Sequence, residues 1–95
     1  MIGKSSLINL ADYVLKRHEP NEGLYYFYNA KTEKCWKIEE NIGSVVSNLN
    51  GTLSFLEIID ILAVNNPNSS RSEIEEIFEY TFSFLLEEGF IVYCD

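Results

Sequence analysis

Few side chains in this sequence have the type and spacing to do bond chemistry. The single histidine, His18, falls at the end of a β-prone run and reads as a solvent-facing polar residue rather than a catalytic base. Cys35 and Cys94 lie far apart, with no His or Cys at metal-ligand spacing, so a zinc site is not expected. Both read as small packing residues in strands, and two cysteines are too few for a disulfide framework. Gly3-Lys4-Ser5 ends like a phosphate-binding loop, but the loop's earlier glycine is absent and no strand precedes it, so the match is chance. Asn50-Gly51-Thr52 and Asn68-Ser69-Ser70 fit the glycosylation pattern, yet without a secretory signal they read as polar turns. Glu75-Glu76 and Glu87-Glu88 point to different sides of a helix and read as solvated faces. No catalytic residue, metal or cofactor is expected, and the chain does not read as an enzyme.

Ninety-five residues make one domain, and disorder does not fit a composition that is 46% hydrophobic and 23% charged. Fifteen acids against seven bases give a net charge of −8, which argues against a chain built to neutralise phosphates. Residues 1–38 hold six of the seven bases and four acids (+2), whereas residues 39–95 hold eleven acids and only Arg71 (−10). No apolar run approaches the roughly 18 residues that span a bilayer. The opening MIGKSSLINLADYVLKR lacks a signal peptide's continuous apolar region. The expectation is a single reduced, cytoplasmic domain over residues 1–95, with residues 1–10 loosely held.

The first half of the chain reads as strands. Tyr13 to His18 is a short β-prone run, and Pro20-Asn21-Glu22-Gly23 is a turn cluster. Leu24 to Asn29 (LYYFYN) is dense in aromatics that suit a pleated surface. Lys31-Thr32 is expected at the tip of a tight hairpin leading into Lys34 to Glu39 (KCWKIE). If Ala30 pairs with Glu33, Phe27 faces Trp36 and Tyr25 faces Ile38 on one side, and Tyr26, Tyr28, Cys35 and Lys37 share the other.

The second half reads as helices. Ile42, Val45, Val46 and Leu49 give a helical stripe over residues 41–49, with Asn50-Gly51 as its stop. Ser54-x-x-Glu57 and Ser70-x-x-Glu73 are capping boxes opening two further helices, the last running to about Glu88 and stopped by Gly89. Phe90 to Tyr93 reads as a closing strand. The result is an α+β fold of winged helix-turn-helix type: a three-stranded antiparallel sheet followed by three helices. The helix that would enter a DNA groove, residues 71–88, carries six Glu and one Arg, the wrong sign for phosphate contacts.

The last helix has surplus apolar surface. Ile74, Phe78, Phe82 and Leu85 form one stripe, enough to seal the core, with Leu86 at its edge. Ile77, Tyr80, Thr81 and Phe84 form another, so the apolar arc is roughly twice the about 100° a surface helix needs. Either the N-terminal segment (Leu7, Ile8, Leu10) or the closing strand covers that second stripe, or it is one wall of a peptide groove. The other wall would be the third strand, Lys34-Cys35-Trp36-Lys37-Ile38, as an unpaired sheet edge. Lys34 and Lys37 would guard that edge against aggregation, bias it toward acidic segments, or both.

The stretch KCWKIEENIGSVVSNLNGTLSFLEI resembles the signature of the PqqD-like family, small peptide-binding proteins of ribosomally made, modified peptide pathways. The matching positions are Ile38-Glu39, Val45, Asn50-Gly51, Ser54 and Ile58. Phe78, Phe82, Leu85, Gly89, Phe90 and Ile91 match the family's closing pattern, and the resemblance spans about residues 13–92. Two positions depart from it. Glu39 replaces an Asn and is a poorer N-cap, a role Asn41 is placed to take over, and Val46 replaces a bulkier residue. Trp36 before the strand end is similar to stand-alone recognition proteins of lasso-peptide pathways.

The resemblance implies a domain that performs no bond chemistry. It would bind the leader segment of a precursor peptide as an added antiparallel strand beside the third strand, against the last helix. It would then present the peptide to a tailoring enzyme, such as a radical SAM protein, a cyclase or a leader peptidase. The competing expectation is an acidic winged-helix protein–protein adaptor or dimer module with no leader ligand.

Overall fold

A computed structural model describes residues 2–94 and confirms an α+β architecture with antiparallel strands and three helices. The elements run β1 (Leu7–Leu10), β2 (Val14–Glu19), β3 (Leu24–Asn29), β4 (Lys34–Glu39), α1 (Glu40–Ser47), β5 (Asn50–Ser54), α2 (Phe55–Asn65), α3 (Arg71–Glu87) and β6 (Ile91–Tyr93). They form two three-stranded sheets, ordered β2-β3-β4 and β5-β1-β6.

The first sheet takes the expected register. Phe27 lies opposite Trp36 and Tyr25 opposite Ile38. Alternation places Phe27 in the core, with Tyr25, Trp36 and Ile38 packed against it. The rings form a continuous run, with Tyr25 to Phe27 at 6.0 Å and Phe27 to Trp36 at 5.4 Å. β2 lies one residue further along than expected, at Val14–Glu19. His18 is more than a solvated tip: its ring stacks on Tyr25 at 4.3 Å, and Nε2 lies 2.6 Å from a Glu40 carboxylate oxygen, tying β2 to the start of α1.

The hairpin tip differs from the expected two-residue turn. Residues 30–33 form the loop, with Glu33 in the left-handed region (φ 62) and its N–H donating to the Asn29 carbonyl at 2.8 Å. The cause is the Asn29 side chain, which is fully buried. Its Oδ1 accepts the N–H groups of Lys31 (2.9 Å) and Thr32 (3.2 Å), an Asx arrangement that competes with a two-residue turn. Its Nδ2 donates to the Glu88 carbonyl at 3.1 Å, fastening the tip to the end of α3.

Two further strands depart from the expected helical second half and loosely held start. α1 ends at Ser47, and residues 50–54 form β5 instead of the helix stop and a loop. Gly51 does adopt a positive φ (83°), but uses it where the β1–β5 register shifts between Leu7 and Asn9. The first ten residues supply β1, the central strand of the second sheet, whose Ile8 is buried with Ile2 in the core. α1 crosses β3 closely at Gly43, where a Cβ would stand 2.6 Å from the Tyr25 Cβ, so a glycine is needed there. Glu39 is the N-cap of α1 and makes no side-chain cap bond; Asn41 sits two residues past it, inside the helix, where its Oδ1 accepts only from the Ile42 N–H, so it does not take over the cap.

Both later helices open as expected. Ser54 and Glu57 complete a reciprocal capping box. Ser70 caps Glu73 N–H but spends its hydroxyl proton on the Glu73 carboxylate, so the second box is one-sided. Ile74, Phe78, Phe82 and Leu85 of α3 are all buried. The two cysteines correct the packing expectation: both are exposed and free, Cys35 on the outer face of its sheet and Cys94 beyond β6. The acidic pairs are not merely solvated, because Glu75 and Glu88 each hold a lysine.

Truncating Asn29 to Ala strands the Glu88 carbonyl and two loop N–H groups. Asn29→Ala should lower unfolding free energy by about 1–3 kcal/mol. The thermal midpoint would fall by about 4–8 °C for each kcal/mol, measured by circular dichroism.

Candidate functional site

β4 is an edge strand, and it is the edge that runs beside α3. The Glu40 N–H donates to the Gly23 carbonyl at 2.9 Å, which sets the phase of the β3–β4 ladder. Hydrogen-bonded pairs therefore fall at Ile38, Trp36 and Lys34, and the backbone groups of Cys35, Lys37 and Glu39 point away from β3. Those groups form a row of unpaired donors and acceptors.

Side chains bridge the space between β4 and α3. Trp36 lies 6.4 Å from Phe84 and 6.3 Å from Phe90, and Lys34 Nζ sits 3.0 Å from Glu88 Oε1. At 100° per residue, Ile77, Thr81, Phe84 and Glu88 share the flank of α3 turned toward β4. Ile77 is 52% and Phe84 40% exposed, so this flank is not sealed by the protein's own chain. Tyr80, 79% exposed, stands further round the helix at the lip. The Thr81 hydroxyl donates to the Ile77 carbonyl at 2.9 Å, so it offers a methyl and an acceptor rather than a free proton.

The N-terminal segment and β6 do not cover the stripe. Leu7, Ile8 and Leu10 belong to β1, which pairs with β5 and β6. Lys4 is held on the opposite flank of α3, its Nζ donating to Glu75 at 3.2 Å and lying 3.7 Å from Glu79. The hydrogen bond to Glu75 and the charge of both carboxylates raise the Lys4 pKa above its ordinary value.

All nine residues singled out in the sequence thus lie on two adjoining elements. Lys34, Cys35, Trp36, Lys37 and Ile38 are in β4, and Ile77, Tyr80, Thr81 and Phe84 are in α3. Cys35 and Lys37 turn their side chains to the outer face, across from Tyr28 and Tyr26, and offer the groove only their backbone. The end wall was not legible in the sequence. Glu39, Asn41, Ile42, Leu62, Asn66, Ile74 and Ile77 line a recess of about 170 Å³. A shallower one of about 510 Å³ continues past Ile77 along Glu73, Glu76, Tyr80 and Thr81. A separate apolar cleft of about 170 Å³, among Val45, Leu49, Leu53 and Leu62, lies away from the free edge.

Chemically, the arrangement can add a strand and bury alternate side chains. Among the described residues no group of three or more His, Cys, Asp or Glu could hold a metal ion, and no helix is long and apolar enough to cross a membrane.

Comparison with solved structures gives one close fold relative. TbiB1, solved in complex with the TbiA(beta) leader peptide, aligns with a TM-score of 0.73 at 16% identity, covering 92% of this chain and 99% of that one. The two chains share one fold. No family model and no curated protein matches the sequence.

Because Tyr80 is exposed and makes no hydrogen bond through its side chain among the described residues, Tyr80→Asp should leave folding intact. The change in unfolding free energy expected from urea titration is within about 0.5 kcal/mol.

Proposed function

We propose that this protein binds the leader segment of a ribosomally synthesised precursor peptide by strand addition and presents it to a tailoring enzyme. The leader pairs with the outward backbone groups of Cys35, Lys37 and Glu39, and its alternate side chains lie against Trp36, Ile38, Ile77, Thr81 and Phe84, with Tyr80 at the lip. The observation that carries this reading is the unpaired β4 edge set beside the exposed apolar flank of α3. It is supported by the fold shared with TbiB1, which was solved in complex with a leader peptide, and by the PqqD-like resemblance of the sequence. The domain does no bond chemistry in this reading; the tailoring enzyme supplies it.

The magnitudes are adequate. Four net backbone hydrogen bonds contribute about 4 kcal/mol, and two or three buried apolar side chains about 5 kcal/mol. Ordering a flexible segment costs about 2–5 kcal/mol. The remaining 4–7 kcal/mol or so corresponds to a dissociation constant from about millimolar to about 10 micromolar.

Proline at position 37 tests the pairing directly. Its missing N–H faces outward, so the β3–β4 ladder keeps its bonds while the edge loses a donor. The probe is a synthetic peptide covering the N-terminal half of a short precursor encoded beside this protein's gene, titrated by calorimetry. Lys37→Pro should weaken binding at least about tenfold, and Lys37→Ala by less than about threefold. Equal affinity for Lys37→Pro and the unaltered protein would overturn strand addition.

A further inference from the structure

The β2-β3-β4 sheet buries one face and leaves the other open. Phe27, Tyr25, Trp36 and Ile38 turn inward, so the alternate side chains stand outward in rows. Leu15, Tyr28 and Cys35 form one row, and Arg17, Tyr26 and Lys37 the next. A solvated sheet face is ordinarily polar, but here Leu15 is 65% and Tyr28 38% exposed. A recess of about 230 Å³ opens among Leu15, Tyr26, Tyr28 and Cys35. The charges around it are engaged within the protein. Arg17 Nε lies 2.8 Å from a Glu19 carboxylate oxygen and its guanidinium sits over the Tyr26 ring. The Tyr26 hydroxyl donates to Glu22 at 2.8 Å, and Lys37 stands beside Glu39 on the same face. Such a surface suits contact with an apolar protein surface and carries no preference for either sign of charge.

Position and size decide the occupant. The Leu15–Tyr28–Cys35 row adjoins Lys34, the end at which an antiparallel guest on β4 leaves with its C-terminal half. Cys35 and Lys37 belong to both surfaces, and the outward side chains of a guest extend these rows as a fourth column. Three strands of six residues each present a face of only about 14 by 20 Å, about 300 Å² against the roughly 800 Å² per partner that a stable interface buries. Two copies meeting through this face alone fall short of a stable dimer. A protein that already holds the downstream part of the same guest needs less area, because the peptide makes the second contact intramolecular.

The geometry points to the outer face around Leu15 and Tyr28 as the docking surface for the enzyme that acts on the guest's C-terminal half. The matching chemistry on that enzyme is an exposed apolar side chain, seated in the recess and ringed by neutral surface. This inference rests on antiparallel addition to β4 and deepens it by naming the surface that meets the enzyme. Docking is weak without the guest and strengthened by it, so the enzyme is recruited to the loaded protein in preference to the empty one.

The precursor and the tailoring enzyme encoded beside this protein's gene are the probes, with the enzyme immobilised and binding followed by biolayer interferometry. The unaltered protein should bind the enzyme at least about tenfold more tightly when the full-length precursor is present. Leu15→Asp and, separately, Tyr28→Ser should weaken that association at least about tenfold, with folding checked by circular dichroism. Calorimetric affinity of both variants for the leader peptide should stay within about twofold of the unaltered protein, since neither side chain faces the groove. Association should change less than about threefold between about 0.1 and about 0.5 M salt. Full enzyme association in both folded variants overturns the docking surface. Loss of leader affinity alongside it means that these residues act through the groove, which overturns the assignment as well. Association erased by salt overturns the apolar contact. A dimer of the unaltered protein in sedimentation, dissolved by Leu15→Asp, assigns the face to a second copy and overturns the enzyme as its occupant. Failure of the unaltered protein to bind the leader is a separate result, which overturns strand addition and this inference with it.

Discussion

One buried amide sets the distance between the two walls of the groove. Asn29 closes its own hairpin loop through Oδ1 and reaches the Glu88 carbonyl through Nδ2. That carbonyl lies beyond the last turn of α3, where backbone acceptors lack helical partners. A single side chain therefore satisfies a helix end and a turn at once, and the hairpin tip is anchored where the helix stops. From that anchor β4 must run back along α3, which makes this edge of the sheet, rather than β2, the one with an apolar flank beside it.

The opposite flank of α3 is closed by different means. Lys4 reaches Glu75 and Glu79, and its carbonyl accepts the Leu56 N–H at 3.2 Å. These contacts commit the N-terminal segment to the β5-β1-β6 side. The bases of the first half thus meet the acids of the second half at a few defined places, and the charge division along the chain becomes a spatial one. Lys4 serves the closed flank of α3, while Lys34 serves the open one.

The hairpin was legible in the sequence because LYYFYN and KCWKIE alternate cleanly and sit close together, so one assumed pair settled every other one. The capping boxes and the buried stripe of α3 were legible for a similar local reason. β1 and β5 were not. They are four and five residues long, too short for a periodic signal, and they pair across more than forty positions. Asn50-Gly51 was ambiguous in itself, since a left-handed glycine serves a helix end and a bulged strand equally well. The recess beside Ile77 was hidden because Ile42 and Leu62 carry the spacing of core residues. Only their placement around the α2–α3 loop shows that they also line an opening. The cysteines misled for the opposite reason, being apolar by type and exposed by position.

The phase of the β3–β4 ladder has a further consequence. Backbone groups point outward at Cys35, Lys37 and Glu39, so any chain that extends the sheet must hold its main chain at those levels and turn every second side chain away from α3. Half of such a chain's positions would then be free to drift in sequence without loss of fit, while the alternate half would be constrained in size and polarity. A two-residue periodicity of tolerated and forbidden substitutions is the pattern that this edge imposes on whatever completes it.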